Sequence, residues 1–144
     1  MNDKNIIPRT MLTLHAARGL VEAAFAAAKE IGIEVAVAIT DSGGHLTAFE
    51  RSERAPFLTA DVAVDKAWTA ASFGLGTHVW NGIVRDAKVA PLAHRPRMVA
   101  VGGGVPITLN GQVIGGIGIS GGNADQDQAA AETALRALGF EVPG

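Results

Sequence analysis

The strongest constraint on this chain lies in its last third. Two apolar runs, Val105 to Leu109 and Gln112 to Ile119, are joined by Asn110-Gly111. Asn-Gly suits a two-residue type I′ hairpin, whose central residues both need positive φ. Pro106 cannot donate to a ladder, so its run belongs at a sheet edge or a bulge. The second run continues through Gly121-Gly122 into Asn123-Ala124-Asp125-Gln126-Asp127. Asn123 is a helix N-cap with Gln126 at the capping-box position. The chain must therefore end as an antiparallel hairpin feeding a helix, which runs to Leu138 and stops at Gly139.

The remaining elements follow from periodicity. Ala17, Leu20, Val21, Ala24, Ala28 and Ile31 form one apolar helical stripe between a Thr13 cap and a Gly32 stop. Glu34 to Thr40 reads as a buried strand, Asp41-Ser42-Gly43-Gly44 as a turn and His45 to Arg51 as the partner strand. Thr59 opens a second helix to about Phe73, with a small-residue face of Ala60, Ala63, Ala67, Ala70 and Ala71. Gly74 and Gly76 break it, and Thr77 is expected to cap a third helix ending near Ala87. Pro91 and Pro96 bracket a loop holding His94 and Arg95. Met98 to Val101 reads as a strand before the Gly102-Gly103-Gly104 bend. The predicted order is α-β-β-α-α-β-β-β-α, an α+β domain with a five-stranded antiparallel sheet flanked by helices. It spans residues 1–144 as one domain, with residues 1–11 expected to be a flexible N-terminus.

Composition excludes several functions. Apolar residues make up 48% of the 144 and charged residues 18%, with mean hydropathy +0.24. Surplus apolar surface in so small a domain implies a homo-oligomer. The net charge is −2 with no basic run, and aromatics are 5%, so a nucleic-acid partner is not expected. With no cysteine, thiolate metal sites, disulfides and thiol nucleophiles are excluded. The apolar stretch after Met11 is broken by Arg18, Glu22, Lys29 and Glu30, so neither a signal peptide nor a membrane partner is expected, and the location is read as cytoplasmic.

Gly116-Ile117-Gly118-Ile119-Ser120-Gly121 matches G-x-G-x-x-G, yet the chain ends one helix later. No second parallel strand or ribose-binding acid has room to follow. No Lys-Ser/Thr follows the glycines, and Asp125 and Asp127 put negative charge where a phosphate would sit. Two readings of the bend remain. It is a tight turn whose acids complement the helix dipole, or Gly121, Gly122 and Asn123 form one wall of a ligand pocket. Asp125 and Asp127 are candidate general acid/base groups, although two positions apart on a helix they face different ways. Lys66 is either solvated or a catalytic or anion-binding cation. Arg51 is either a surface partner of Glu50 and Glu53 or a fork for a substrate carboxylate. His15, His45, His78 and His94 show no metalloprotein spacing, so no protein-built metal site is expected. A haem needs only one axial histidine, and His15, on a first helical turn, is the candidate.

Four segments carry a resemblance: Ala38 to Leu46, Val64 to Ala70, Gly102 to Ile107 and Gly115 to Asp127. In this order they resemble the GlcG/HbpS family of haem-binding proteins, which includes the C-terminal domain of PduO-type proteins. The resemblance runs from about Leu12 to Leu138. It implies a profilin-like fold with a five-stranded antiparallel sheet, and a homo-oligomer, often an octamer. It implies haem as the cofactor, with His15 matching members that carry an axial histidine in the N-terminal helix. The secretion signal of exported members is missing from the sequence, which sets extracellular haem sensing aside. Three functions are considered, the first two implied by the resemblance and the third consistent with the apolar composition. The first is a cytoplasmic haem- or tetrapyrrole-binding protein with a pocket shared between subunits. The second is a lyase-type enzyme on an anionic aromatic such as a hydroxylamino-benzoate. There Asp125 or Asp127 would move protons, and Lys66 or Arg51 would hold the carboxylate. The third is an accessory assembly subunit.

Overall fold

The apolar alternation of the chain is satisfied by a four-stranded antiparallel sheet with helices on both faces. A computed structural model describes residues 3–143. The elements are α1 (Leu14–Ile31), β1 (Ala36–Asp41), β2 (Leu46–Arg51), α2 (Leu58–Phe73), α3 (Thr77–Ile83), β3 (Gly104–Leu109), β4 (Gln112–Ser120) and α4 (Ala124–Ala137). The strand order is β2-β1-β4-β3.

Side chains of β1 alternate between two cores. Val37 and Ile39 join Val105, Ile107, Ile117 and Ile119 under α1 and α4, whose Ala17, Leu20, Ala24, Ala131 and Leu135 complete that core. Ala36 and Ala38 face α2 at Ala63 and Ala67. On that face β4 offers Gly116 and Gly118. A Cβ at Gly118 would collide with the Ala63 carbonyl oxygen and stand 2.6 Å from the Ala67 nitrogen. The α2 backbone therefore rests directly on the sheet, and the alanine face exists to allow that approach.

Local signals set most boundaries. The Thr13 hydroxyl accepts from Ala16 N–H at 3.0 Å, and Gly32 ends α1 at φ 84°. Asn110 and Gly111 have φ 50° and 79°, as the hairpin requires, and Pro106 lies in the edge strand β3. The Asn123–Gln126 capping box is formed.

Three expectations are corrected. The sheet has four strands, not five. Met98 to Ala100 pair with no strand, and side chains hold their backbone instead. Thr69 Oγ1 accepts from Val99 N–H at 3.2 Å and donates to the Arg97 carbonyl at 3.1 Å, and Asn81 Nδ2 donates to the Ala100 carbonyl at 2.9 Å. Second, Thr77 does not cap α3. The N-cap is Gly76, and the buried Thr77 hydroxyl accepts from Gly104 N–H at 2.8 Å. Third, α3 ends at Ile83 rather than near Ala87, because Asp86 turns the chain by accepting from Lys88 N–H at 2.9 Å. Of the N-terminal segment 1–11, residues 1 and 2 lie outside the described residues. Asp3–Asn5 forms a 3-10 turn, and residues 3–11 are exposed. Among the described residues, no helix is long and apolar enough to cross a membrane.

Candidate functional site

The glycine-rich bend and the candidate acids meet at a buried ion pair. Because α2 lies on β4, Lys66 reaches the end of that strand. Its Nζ donates to the Ile119 carbonyl at 2.9 Å and to Asp127 Oδ2 at 3.0 Å. The second Asp127 oxygen accepts from Gly122 N–H at 2.8 Å. Lys66 and Asp127 are each 2% exposed. Burial pulls the Lys66 ammonium below the ordinary lysine value, and the neighbouring Asp127 carboxylate opposes that shift. The backbone before β3 closes over the pair. A Cβ at Gly103 would lie 2.7 Å from Lys66 Nζ, and Gly103 N–H donates to Gln128 Oε1 at 3.0 Å. One lysine thus ties together α2, α4, the end of β4 and the start of β3.

The other bend residues are not gathered around this pair. Asp125 is exposed on the first turn of α4, so the two acids are separated as their spacing requires. Asn123 accepts from Gln126 N–H at 2.8 Å. Gly121 packs on the Glu34 carbonyl, with Val35 Cα 2.8 Å from where its Cβ would stand. Arg51 lies at the end of β2, paired with Ala36, which in turn pairs with Ser120. It is exposed, and its Nη1 donates to the Ala55 carbonyl at 2.7 Å and the Ser52 carbonyl at 3.2 Å, clasping its own loop. It borders a cleft of about 730 Å³ with Lys29, Glu34, Glu50 and Glu53.

His15 stands apart from all of these. It is exposed on the first turn of α1 and lines a cleft of about 500 Å³ with Arg18, Glu22, Leu138 and Phe140. A neighbouring cleft of about 660 Å³ shares Arg18 and Glu22 and adds Leu14, Val21, Phe25 and Phe49. Among the described residues, no three His, Cys, Asp or Glu side chains are grouped to hold a metal ion.

Helical spacing carried one signal for the buried pair. Lys66 falls three residues after Ala63 and four before Ala70, on the small-residue stripe and not opposite it. Nothing local pointed to Asp127 as its partner, 61 positions away.

Residues 12–136 match the family model described as haem degrading protein HbpS-like. The chain belongs to the GlcG/HbpS family. An uncharacterised 15.0 kDa protein of Citrobacter freundii, from the dhaT-dhaS intergenic region, is 38% identical over 127 residues, covering 86% of this chain and 89% of its own. The crystal structure of a double mutant of Streptomyces reticuli HbpS superposes with a TM-score of 0.88 at 31% identity, over 96% of this chain and 94% of that one. The crystal structure of a PduOC:haem complex superposes with a TM-score of 0.84 at 31% identity, over 94% of this chain and 100% of that one. These superpositions bear out the α+β architecture described above.

Proposed function

We propose that this GlcG/HbpS family member is a haem- or tetrapyrrole-binding protein, with His15 as axial ligand, acting in the cytoplasm as a homo-oligomer. The observation that carries the reading is the surroundings of His15. An exposed imidazole opens onto a cleft with apolar Leu138 and Phe140, and Arg18 stands at its rim. These groups fit haem by type: an imidazole for the iron, apolar walls for the macrocycle and a guanidinium for a propionate. The adjoining cleft extends the apolar surface through Val21 and Phe25. Bound haem supplies a redox-active iron, and the chain supplies ligation, orientation and a hydrophobic wall. The haem complex of a relative at 31% identity supports the same reading. Exposed Phe57 and Phe73, at 86% and 67%, support burial against another subunit.

The lyase-type reading has less support. Lys66 and Asp127 saturate each other out of solvent, and the Arg51 guanidinium is engaged with carbonyls of its own loop. Asp125 and Arg51 are the exposed members of that set.

A hemin titration followed by absorbance tests the proposal. The expected result is a shifted Soret band that His15→Ala removes and His45→Ala retains. Absence of a shift in the parent protein, or an unchanged shift in His15→Ala, overturns the assignment.

A further inference from the structure

The chain between α3 and β3 makes a long excursion that builds no core. From Val84 to Val101 no residue is buried, although the segment is ordered around a 3-10 turn, Ala90–His94. Connections of this length without a core role are uncommon in compact domains and are often functional. This one is held in place from outside. Thr69 and Asn81 fasten its end by the hydrogen bonds to residues 97, 99 and 100. Arg97, at φ 72°, stacks on Trp68 at 4.5 Å and pairs with Asp65 at 3.0 Å. Five anchoring contacts and a strained arginine preserve a shape that apolar burial does not require.

The excursion is also the basic part of an acidic chain. Between Arg85 and Arg97 it carries Arg85, Lys88, Arg95 and Arg97 against one acid, Asp86, while the whole chain is −2. Its outer surface forms an open cleft of about 740 Å³. Val89, Leu92 and Pro96 give it an apolar lining, and Lys88, His94 and Arg95 border it. Among the described residues the side chains of Lys88, His94 and Arg95 have no hydrogen-bond or ion-pair partner. They differ in this from Lys66 and Arg51, the cations that the sequence singled out for an anion.

We propose that the cleft at Lys88, His94 and Arg95 binds a small organic anion with an apolar body, such as an aromatic carboxylate. Lys88 and Arg95 take the anionic group, and Val89 and Leu92 contact the body. Open cationic rims around an apolar floor favour this class over a neutral ligand, which would leave the charges unused, and over an inorganic anion, which would leave the floor unused. The site is separate from the His15 clefts and does not depend on haem binding.

The test uses 1-naphthoate as probe, followed by chemical-shift changes in the full-length protein, with 1-naphthalenemethanol as its neutral counterpart. Expected are shifts confined to residues 85–97, at least tenfold weaker binding of the alcohol, and affinity that falls as salt is raised. The double charge reversal Lys88→Glu/Arg95→Glu should weaken naphthoate at least tenfold. Both residues are exposed, so the fold should persist, and the unchanged spectrum of the core confirms it. The single variant Lys88→Gln gives a milder version of the same loss. His15→Ala should leave naphthoate binding intact while it abolishes the hemin shift, so that failure of one site is distinguishable from failure of the other. The proposal is overturned by equal binding of acid and alcohol, by unchanged affinity in the charge reversal, by shifts at the His15 clefts instead, or by no binding.

Discussion

Removing the Lys66 ammonium should destabilise this protein more than any surface change. In Lys66→Met the aliphatic stem survives while Nζ disappears, leaving Asp127 Oδ2 and the Ile119 carbonyl without their donor. Asp127 would remain in a site where it is 2% exposed, holding only Gly122 N–H. Removing one member of a buried pair costs about 3–5 kcal/mol, because the survivor's charge is uncompensated. For a domain of this size that is roughly 10–15 °C in Tm. Replacing both charges, as Lys66→Met/Asp127→Leu, should return most of the loss and end within about 2 kcal/mol of the parent, a coupling energy of at least about 1 kcal/mol. Urea unfolding at fixed protein concentration, read by Trp68 and Trp80 fluorescence, measures these two variants and the single Asp127→Leu that completes the cycle. The pH dependence supplies an independent sign. Lys66 titrates below its unfolded value because burial disfavours its charge. Between the lowered folded value and the ordinary lysine value, the unfolded chain binds more protons, so stability rises with pH through that window. Asp127→Asn removes the opposing carboxylate and should widen the window downward, giving a steeper rise. A Lys66→Met cost below about 1 kcal/mol, or an Asp127→Asn variant whose stability falls as pH rises through this range, would refute the account.

Two further outcomes test the packing. Gly118→Ala puts a methyl into the Ala63 carbonyl and should cost about 3 kcal/mol or more by forcing α2 off the sheet, whereas Gly82→Ala meets nothing within 4 Å and should gain about 0.5–1 kcal/mol from helix propensity. Equal thermal shifts for the two would contradict the direct seating of α2. Thr77→Val leaves buried Gly104 N–H unpaired and should cost about 1–3 kcal/mol, with faster amide exchange at Gly104 as the specific readout.

How much of this was legible depended on how far each contact reaches along the chain. The terminal hairpin, the α4 capping box and both ends of α1 rest on groups within four residues of one another, so Asn110-Gly111, Asn123, Thr13 and Gly32 announce them. Met98 to Ala100 has the composition of a strand, but Thr69 and Asn81 satisfy its backbone, and no local pattern reveals that substitution. Thr77 was legible as a residue that bonds a backbone N–H, but not as one that bonds Gly104, 27 positions on, in place of its own helix. The glycines of β4 suggested a close approach to something. What approaches is the α2 backbone at Ala63 and Ala67, and no ligand is needed to explain Gly116 or Gly118.

The same distinction bears on where the chemistry of this chain can lie. A side chain already saturated by the fold has no capacity left for a ligand unless the fold opens. Lys66, Asp127 and Arg51 are the three candidates with the strongest individual chemistry: the buried pair locks the bend, and the exposed arginine spends Nη1 on clasping residues 52–55. Groups with unspent capacity that border clefts include His15 and Arg18 on α1, and Lys88, His94 and Arg95 on the excursion, all of them exposed. They sit beside apolar surface in open clefts, His15 and Arg18 on the exposed side of α1 and the others on an excursion with no buried residue. A mutation there should alter ligand binding with little change in stability, and a mutation in the buried set should do the reverse. Measuring hemin and naphthoate affinities beside urea midpoints for Lys66→Met, His15→Ala and Lys88→Glu/Arg95→Glu checks that separation. A Lys66→Met protein that keeps its midpoint and loses either ligand would move the buried pair back into the site and remove the basis for treating it as a structural lock.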